Sequence, residues 1–351
     1  MYNLISRLFR SFPPEIAHNL TIKALKYIPI TSKNKDNPIL SQHLMGLDFS
    51  NPIGLAAGFD KNAEVINPML SFGFGFVEIG TVTPKPQLGN TKPRIFRIPN
   101  QNAIINHLGF NNNGLDKVKE NLLKFRNNYF ENKIVGVNIG KNKDTENDVD
   151  DYIYSIDKLS NLSSYITINI SSPNTEGLRD LQLRGNIENL IKKINTKRSE
   201  MKGLLYRPVL IKISPDLKDD QLRDIALVSL ANNVDGIILT NTTTSRMKNF
   251  NPKYYNLKGG LSGQPLFNLS NNVLRKMYNL TNGQIPLVGV GGISNGSQCY
   301  EKIKSGASLV QLYTAMTYSG PSLIQNIKNE LIDLIKTDGY KHISEVIGKS
   351  V

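Results

Sequence analysis

An apolar segment that ends in hydroxyl and amide side chains carries the clearest chemical signal in this sequence. Residues 165–170 form a short run rich in β-branched residues, and Ser172, Pro173 and Asn174 come close behind it. The run is typical of a buried strand, and Pro173 favours a loop after it. Polar side chains at such a strand end suit the mouth of a parallel α/β barrel better than a core. We therefore expect Asn169, Ser172 and Asn174 to face a site.

Further strands are predicted to end in polar or charged residues. Asn138 closes one apolar run, Thr240 and Asn241 follow another, and Lys212 lies inside a third. A lysine inside an apolar run is costly unless it meets a negative group. A single asparagine is more often a loop cap than a ligand contact, but amides at successive strand ends favour a common binding site.

The last two predicted strands are followed by segments that suit an anion. Residues 289–292 (Gly-Val-Gly-Gly) and the pair Tyr313-Thr314 lie where barrels commonly bind a phosphate, on backbone amides and a helix N-terminus. At the end of the first predicted strand, the small residues Ala57 and Gly58 would let a large group approach the backbone. These features predict a bulky ligand that carries a phosphate.

Eight β-rich runs alternate with helical periods, and this alternation predicts a (β/α)8 TIM barrel of the α/β class. The runs are 53–58, 76–81, 134–139, 165–170, 209–213, 236–239, 287–290 and 309–312; helical spacing recurs at 149–159, 187–194 and 222–229. A doubly wound open sheet is the alternative, but its dinucleotide fingerprint is missing because 73–75 and 289–291 lack the third glycine. We assign 39–351 to the barrel, with a C-terminal tail from about residue 336.

Composition restricts the function classes. The 351 residues include 42 Lys and Arg against 29 Asp and Glu, a formal net charge of +13. Because the basic residues are scattered, Trp is absent and no nucleic-acid signature occurs, we favour a membrane surface and an anionic ligand over nucleic acid. The single cysteine, Cys299, excludes an intramolecular disulfide, and we expect it to be a small buried residue of a helix over 295–304. His18, His43, His107 and His342 lack metal-ligand spacing, so no metal is predicted.

The N-terminal segment, residues 1–38, differs from the rest of the chain. Pro14 suits the first turn of a helix, and apolar residues then recur every four positions from Ile16 to Ile28, with an earlier apolar and basic piece over 4–10. The pattern fits two small helices packed on the barrel, or a helical pair that lies on a membrane with its apolar face down. No window has the length of a membrane span, and no signal peptide with a cleavage site is visible.

Seven segments, taken in order, resemble the dihydroorotate dehydrogenase family. They are 54–61 (GLAAGFDK), 78–84 (EIGTVTP), 106–112 (NHLGFNN), 138–143 (NIGKNK), the segment around Ser172, 260–263 (GLSG) and 290–293 (VGGI). The likeness runs from the N-terminal helices to about residue 330 and leaves out the tail, to which we assign no role. Ser172 stands at the position of the catalytic base, where the soluble class 1 members carry a cysteine. A serine there, with an N-terminal helical extension, resembles the membrane-associated, quinone-dependent class 2.

The resemblance implies an activity. Dihydroorotate would be oxidised to orotate in de novo pyrimidine (UMP) biosynthesis, with Ser172 taking the C5 proton, bound FMN accepting the C6 hydride and a quinone such as ubiquinone as the final acceptor. Thr175 and Phe110 would shape the setting of a proton-relay water. The enzyme would be a monomer, peripheral to the cytoplasmic side of the inner (cell) membrane.

The same resemblance assigns site residues. The substrate residues would be Lys61, Asn106, His107, Leu108, Gly109, Phe110, Asn169, Asn174, Asn241 and Thr242. The FMN residues would be Ala57, Gly58, Phe59, Asp60, Lys61, Thr81, Asn138, Asn169, Lys212, Thr240, Gly263, Gly292, Tyr313 and Thr314. A quinone tunnel between the N-terminal helices and the barrel would pass His18 and Arg97.

Two other interpretations stay open from the sequence. One is a related FMN barrel reductase acting on a different pyrimidine, or a class 1-like enzyme with a soluble acceptor. The other is a non-catalytic basic protein that binds membrane or nucleic acid by charge; the constellation of Ser172, Lys61 and the asparagines argues against it.

Overall fold

The eight predicted runs become the strands of a closed parallel barrel. The structure, a computed structural model, describes residues 11–27, 35–128, 133–201, 207–246, 250 and 252–351. Its strands are β1 Gln42–Leu44, β2 Leu47–Phe49, β3 Ile53–Leu55, β4 Phe76–Val82, β5 Ile95–Ile98, β6 Ala103–Asn106, β7 Ile134–Ile139, β8 Tyr165–Asn169, β9 Val209–Ile213, β10 Gly236–Leu239, β11 Gly260–Gly263, β12 Leu287–Val290 and β13 Leu309–Leu312. The barrel order is β3-β4-β7-β8-β9-β10-β12-β13, closing back on β3. The predicted fold class is confirmed.

Helices follow the barrel strands and cover their outer face. They are α1 Pro14–Leu25, α2 Ile66–Ser71, α3 Leu115–Asn128, α4 Asp148–Leu159, α5 Arg184–Glu200, α6 Asp219–Ala231, α7 Pro252–Tyr255, α8 Phe267–Thr281, α9 Gly296–Lys304, α10 Thr314–Ser319 and α11 Ser322–Thr337. The helical spacing predicted at 149–159, 187–194 and 222–229 is confirmed by α4, α5 and α6. Cys299 is buried in α9 as expected, and burial raises the pKa of its thiol.

Strand alternation divides the core into two layers. Phe76 points into the barrel, where its ring meets those of Phe49 at 5.2 Å and Tyr165 at 6.4 Å, whereas Val77 belongs to the larger cluster between strands and helices. The first barrel strand ends at Leu55, three residues before the predicted end. Gly58, the last residue of the predicted run, has a φ angle of +106° and is therefore not extended.

A small antiparallel sheet, in the order β11-β6-β5, was not foreseen from the sequence. The three strands have four residues each, and they come from two distant parts of the chain. Their pairing depends on long-range contacts, which local periodicity does not report. This sheet contributes several residues to the cavity described below.

The N-terminal helix α1 has two apolar faces. Ala17, Ile22 and Leu25 are buried, whereas the predicted stripe is turned outward, with Ile16 51% and Leu20 38% exposed. Pro14 occupies the first turn, as predicted. The second predicted helical piece, over 4–10, and the end of the stripe at Ile28 lie outside the described residues. None of the described helices is both long and apolar enough to cross a bilayer.

The C-terminal tail and the connector before β1 both pack on the barrel. In the tail, the side chains of Ile343 and Val346 are fully buried, and the backbone N–H of Ser350 donates to the Lys304 carbonyl at 2.8 Å. In the connector before β1, Asp36 pairs with the buried Lys328 at 2.7 Å. The tail, to which the sequence assigned no role, therefore belongs to the core.

Ile343→Ala tests that role of the tail. The substitution leaves a cavity in a fully buried position and should lower the free energy of unfolding by about 2–5 kcal/mol, measured as a lower midpoint of denaturant unfolding at an unchanged m-value. The control is Val351→Ala, at a position that is 43% exposed, where a change within about 0.5 kcal/mol is expected. Equal midpoints for Ile343→Ala and the parent chain would contradict the assignment.

Candidate active site

A cavity of about 300 Å³ opens at the carboxyl ends of the barrel strands. Most of the predicted site residues line it together, although they come from distant parts of the chain. They are Ala57, Gly58, Lys61, Thr81, Asn106, Leu108, Gly109, Phe110, Asn169, Ser172, Asn174, Lys212, Thr240, Asn241, Thr242, Gly263, Gly292, Tyr313 and Thr314. The small antiparallel sheet adds residues that the sequence reasoning missed, among them Ile95, Ile104 and Ser262. The local signal for Ile95 and Ile104 is the short apolar pattern of their strands, whereas Ser262 lies within the family-like segment 260–263.

Four of the predicted residues lie behind the cavity wall rather than on it. The Asp60 carboxylate accepts the backbone N–H groups of Glu64 and Val65, both at 2.8 Å, and burial raises its pKa to about 6. His107 Nδ1 lies 3.1 Å from the Asn174 amide oxygen. Phe59 faces the N-terminal helix, and Asn138 lies in the barrel interior; both are described below. The side chains of these four residues support the wall.

Ser172 has a sheltered position in the loop after β8. It is 6% exposed, and its Oγ accepts the backbone N–H of Asn174 at 3.2 Å. On the same loop, the Thr175 hydroxyl is buried and has no hydrogen-bond partner among the described residues, so it can bond a water or a ligand. Phe110, also largely buried, adds an apolar side to the cavity.

Neutral amides around Ser172 hold one another in place. Asn174 Nδ2 donates to the carbonyl and to the side-chain oxygen of Asn106, at 3.1 and 3.0 Å. Asn241 Nδ2 donates to Ser171 Oγ at 3.0 Å, and Asn169 Nδ2 donates to Thr81 Oγ1 at 2.9 Å. Amides offer both donors and acceptors, so this ring suits a flat, polar ligand.

Two buried lysines bring positive charge to the cavity. Lys61 Nζ donates to the Gly58 carbonyl at 2.9 Å, and burial lowers its pKa to about 8, opposed by the charge of Glu15. The Nζ of Lys212, a residue that is 5% exposed, has no hydrogen-bond partner among the described residues. Burial lowers its pKa too, opposed by Glu78. A buried cation facing a cavity favours an anionic or electron-rich ligand.

The counter-charge of Lys212 is Glu78, which the sequence reasoning missed. Its carboxylate is fully buried inside the barrel and accepts hydrogen bonds from four side chains on three strands. The donors are Asn138 at 2.9 Å, Tyr165 and Thr167 at 3.1 Å each, and Gln311 at 2.8 Å. A glutamate within the apolar strand β4 was the available signal. Asn138 also accepts from Thr81 at 2.6 Å and so links this cluster to the cavity.

The opposite end of the cavity presents backbone donors. Gly291 and Gly292 have φ angles of +118° and +79°, and a Cβ on Gly292 would lie 2.5 Å from Phe267. The N–H groups of Gly292, Tyr313 and Thr314 donate to no acceptor among the described residues. Such a cluster of N–H groups in a glycine turn and at a helix start binds anions.

A second cavity, of about 540 Å³, separates α1 from the barrel. His18 and Phe59 line it, and it shares Lys61, Leu108 and Tyr313 with the first cavity. The Phe59 ring meets His18 at 5.4 Å and Tyr313 at 5.5 Å, edge to face in both cases. Burial lowers the pKa of His18 to about 3, so its imidazole is uncharged at neutral pH.

Arg97, the other residue predicted for the tunnel, does not line the second cavity. Its guanidinium donates to the Phe12 carbonyl at 3.1 Å and thereby ties the residues just before α1 to β5. Nearby, Arg94 makes a two-pronged ion pair with Glu15 of α1, at 2.7 and 3.2 Å. In the described ranges, no group of three or more His, Cys, Asp or Glu side chains is arranged to hold a metal ion.

A (β/α)8 barrel with an anion-binding end, a buried lysine and a serine within a ring of amides defines a cofactor-dependent barrel enzyme. The family model described as Dihydroorotate dehydrogenase matches residues 39–335. The chain therefore belongs to the dihydroorotate dehydrogenase family, whose members are flavoproteins. This confirms the family resemblance found in the sequence.

Individual relatives agree over nearly the whole chain. The Dihydroorotate dehydrogenase (quinone) of Parvibaculum lavamentivorans is 47% identical and covers 100% of this chain and 99% of its own length. The mitochondrial Dihydroorotate dehydrogenase (quinone) of Arabidopsis thaliana is 45% identical over 98% of this chain and 80% of its own. The crystal structure of DHODH from Eimeria tenella in complex with ferulenol superposes with a TM-score of 0.92 at 41% identity, over 96% of this chain and 95% of that one.

Glu78→Gln tests the buried carboxylate. The glutamine side chain would place an NH2 group among side chains that already donate to this position. It would also remove the negative charge that offsets Lys212. We expect the free energy of unfolding to fall by about 1.5–3 kcal/mol, the range for hydrogen bonds to charged groups, read from denaturant midpoints. Asp48→Asn is the control, because Asp48 is a 90% exposed partner of His43 and should cost at most about 1 kcal/mol. A Glu78→Gln protein as stable as the control would contradict this role.

Proposed function

We propose that this protein oxidises dihydroorotate to orotate in pyrimidine biosynthesis and passes the electrons to a membrane quinone. The observation that carries the proposal is the sheltered Ser172 in a cavity that also holds Lys61 and the amides of Asn106, Asn174 and Asn241. The name shared by relatives at 45–47% identity supports the substrate and the quinone acceptor.

The flavin we propose is FMN, since the residues present fit one phosphate and a polar ring. The N–H groups of Gly292, Tyr313 and Thr314 would hold the phosphate. Thr81, Asn169 and Lys212 would lie along the ring. Bound FMN supplies the acceptor for the hydride that leaves C6 of the substrate. Lys212, backed by Glu78, would stabilise negative charge beside it.

Ser172 would take the proton from C5 of the substrate at its Oγ. A serine hydroxyl is a poor base by itself, so it needs an acceptor for its own proton. The unpartnered Thr175 hydroxyl can hold a relaying water, and Phe110 keeps bulk water away. Lys61 would bind the substrate carboxylate, while Asn106, Asn174 and Asn241 match the amide edges of the ring.

The second cavity would admit the quinone. Its wall is shared with the first cavity through Tyr313 and Leu108, which brings an acceptor there close to the flavin. The outward apolar face of α1, with Ile16 and Leu20, would rest on the cytoplasmic surface of the membrane in which a long-chain quinone is dissolved. This makes the protein a peripheral membrane enzyme.

An absorption spectrum tests the proposal. The purified protein should be yellow, and its flavin bands should bleach when dihydroorotate is added without oxygen. Ubiquinone should then restore the bands, whereas fumarate or NAD should not. A protein that contains no flavin and cannot be reconstituted with FMN would overturn the proposal.

Ser172→Ala should slow flavin reduction by about 10²–10⁴-fold, the usual contribution of a positioned base, while flavin and orotate binding stay close to the parent values. Stopped-flow absorbance measures the rate, and Ser172→Cys is the comparison, because a thiol can also accept the proton. We expect the cysteine variant to keep part of the activity with a shifted pH profile. Flavin reduction by the alanine variant at the normal rate would exclude Ser172 as the base.

The double substitution Ile16→Glu and Leu20→Glu should release the protein from anionic liposomes and lower turnover with ubiquinone, because charge then covers the outward face of α1. Flavin reduction by dihydroorotate should persist. The matched control is Leu123→Glu with Leu227→Glu, at positions 40% and 48% exposed on other helices. Liposome sedimentation and the two half-reactions are measured. If the α1 variant behaves like the control, α1 does not dock on the membrane.

A further inference from the structure

Lys302, on the outer side of the barrel, is a buried lysine that the proposed chemistry does not use. It belongs to α9, is fully buried and does not line either cavity. Burying an ammonium group is costly unless several partners compensate for the lost water. Lys302 has such partners, and all of them lie in the first two turns of α8.

The contacts of Lys302 are specific. Its Nζ donates to Ser270 Oγ at 2.8 Å and to Asn271 Oδ1 at 2.7 Å, and it lies 5.2 Å from the centre of the Phe267 ring. Its aliphatic stem crosses Gly289, where a Cβ would come within 2.6 Å of it. The residue therefore joins α9 to the start of α8 beneath the glycine turn after β12.

Ser270 connects Lys302 to the glycine turn, because its hydroxyl contacts both. Its hydroxyl lies 3.2 Å from the Gly291 carbonyl and 3.0 Å from the Phe267 carbonyl. Because Lys302 donates to the Ser270 oxygen, the single hydroxyl hydrogen faces the Phe267 and Gly291 carbonyls and is shared between them. The Gly291 carbonyl is thereby held toward α8.

The direction of that carbonyl decides where the next N–H points. The C=O of Gly291 and the N–H of Gly292 belong to one planar trans peptide, so they point in opposite directions. With the carbonyl held toward Ser270, the Gly292 N–H is turned away from α8. That N–H has no acceptor among the described residues, and Gly292 lines the first cavity.

We propose that Lys302 is a positioning residue for the anionic end of the cofactor: through Ser270 it orients the Gly291–Gly292 peptide so that the Gly292 N–H faces a phosphate. The inference rests on the proposed FMN. Burial lowers the pKa of Lys302 to about 7. An amine in either protonation state can donate to both oxygens, so the orientation does not depend on a full charge.

The test compares two ligands that differ only in the phosphate. Full-length apoprotein is titrated with FMN and with riboflavin, and flavin fluorescence gives both dissociation constants. For Lys302→Met we expect FMN affinity to fall by at least about tenfold, the effect of one strong hydrogen bond, with riboflavin affinity changed by less than about twofold. Ser270→Ala should change the FMN-to-riboflavin ratio in the same direction.

Lys328→Met is the matched control, since Lys328 is another buried lysine but pairs with Asp36, away from the cavity. It should leave the ratio unchanged. An unchanged ratio in Lys302→Met overturns the inference while leaving the FMN proposal intact; if that variant does not fold, the ratio in Ser270→Ala decides. A parent chain that fails to bind FMN overturns the proposed cofactor, and this inference with it.

Discussion

The buried carboxylate of Glu78 is the constraint on which the barrel interior depends. A buried charge is tolerated only if hydrogen-bond donors compensate for the lost hydration. Donors on β7, β8 and β13 meet that demand. The strands must therefore close in one register to satisfy it. The same carboxylate offsets the charge of Lys212, so a cation can stand at the cavity floor. The stability of the barrel and the electrostatics of the site are linked in one cluster.

Above that cluster, the cavity is built in layers. A chain of hydrogen bonds runs from Glu78 through Asn138 and Thr81 to the side-chain amide of Asn169. The other asparagine amides of the cavity surround Ser172. Because these amides bond one another before any ligand arrives, little ordering is needed on binding. The backbone donors of the glycine turn lie at the far end. One cavity thus has backbone N–H donors at one end and Ser172 with its amides at the other, which suits a long ligand with one reactive edge.

The N-terminal helix forms one wall of the second cavity and is anchored to the barrel by an ion pair. Glu15 pairs with the buried Arg94, and this pair keeps Ile22 and Leu25 against the barrel while Ile16 remains outside. The second cavity arises between this helix and the barrel, so its shape depends on the anchor. An acceptor there would be separated from the first cavity only by a shared wall. The two half-reactions of the proposed enzyme can then use different entrances.

The sequence by itself determined the barrel class and its eight strands, and it pointed to Asn169, Ser172 and Asn174 as residues that face a site, since strand periodicity and the residue types at strand ends are local properties. The family resemblance supplied most of the other residues that line the cavity. It did not determine which donors reach Glu78, that β5, β6 and β11 form a sheet at the mouth, or that Asp60 and His107 lie behind the wall. Nor could it show that the tail is core and that the stripe on α1 faces outward. Those features depend on which distant surfaces meet when the barrel closes, and only the tertiary structure decides that.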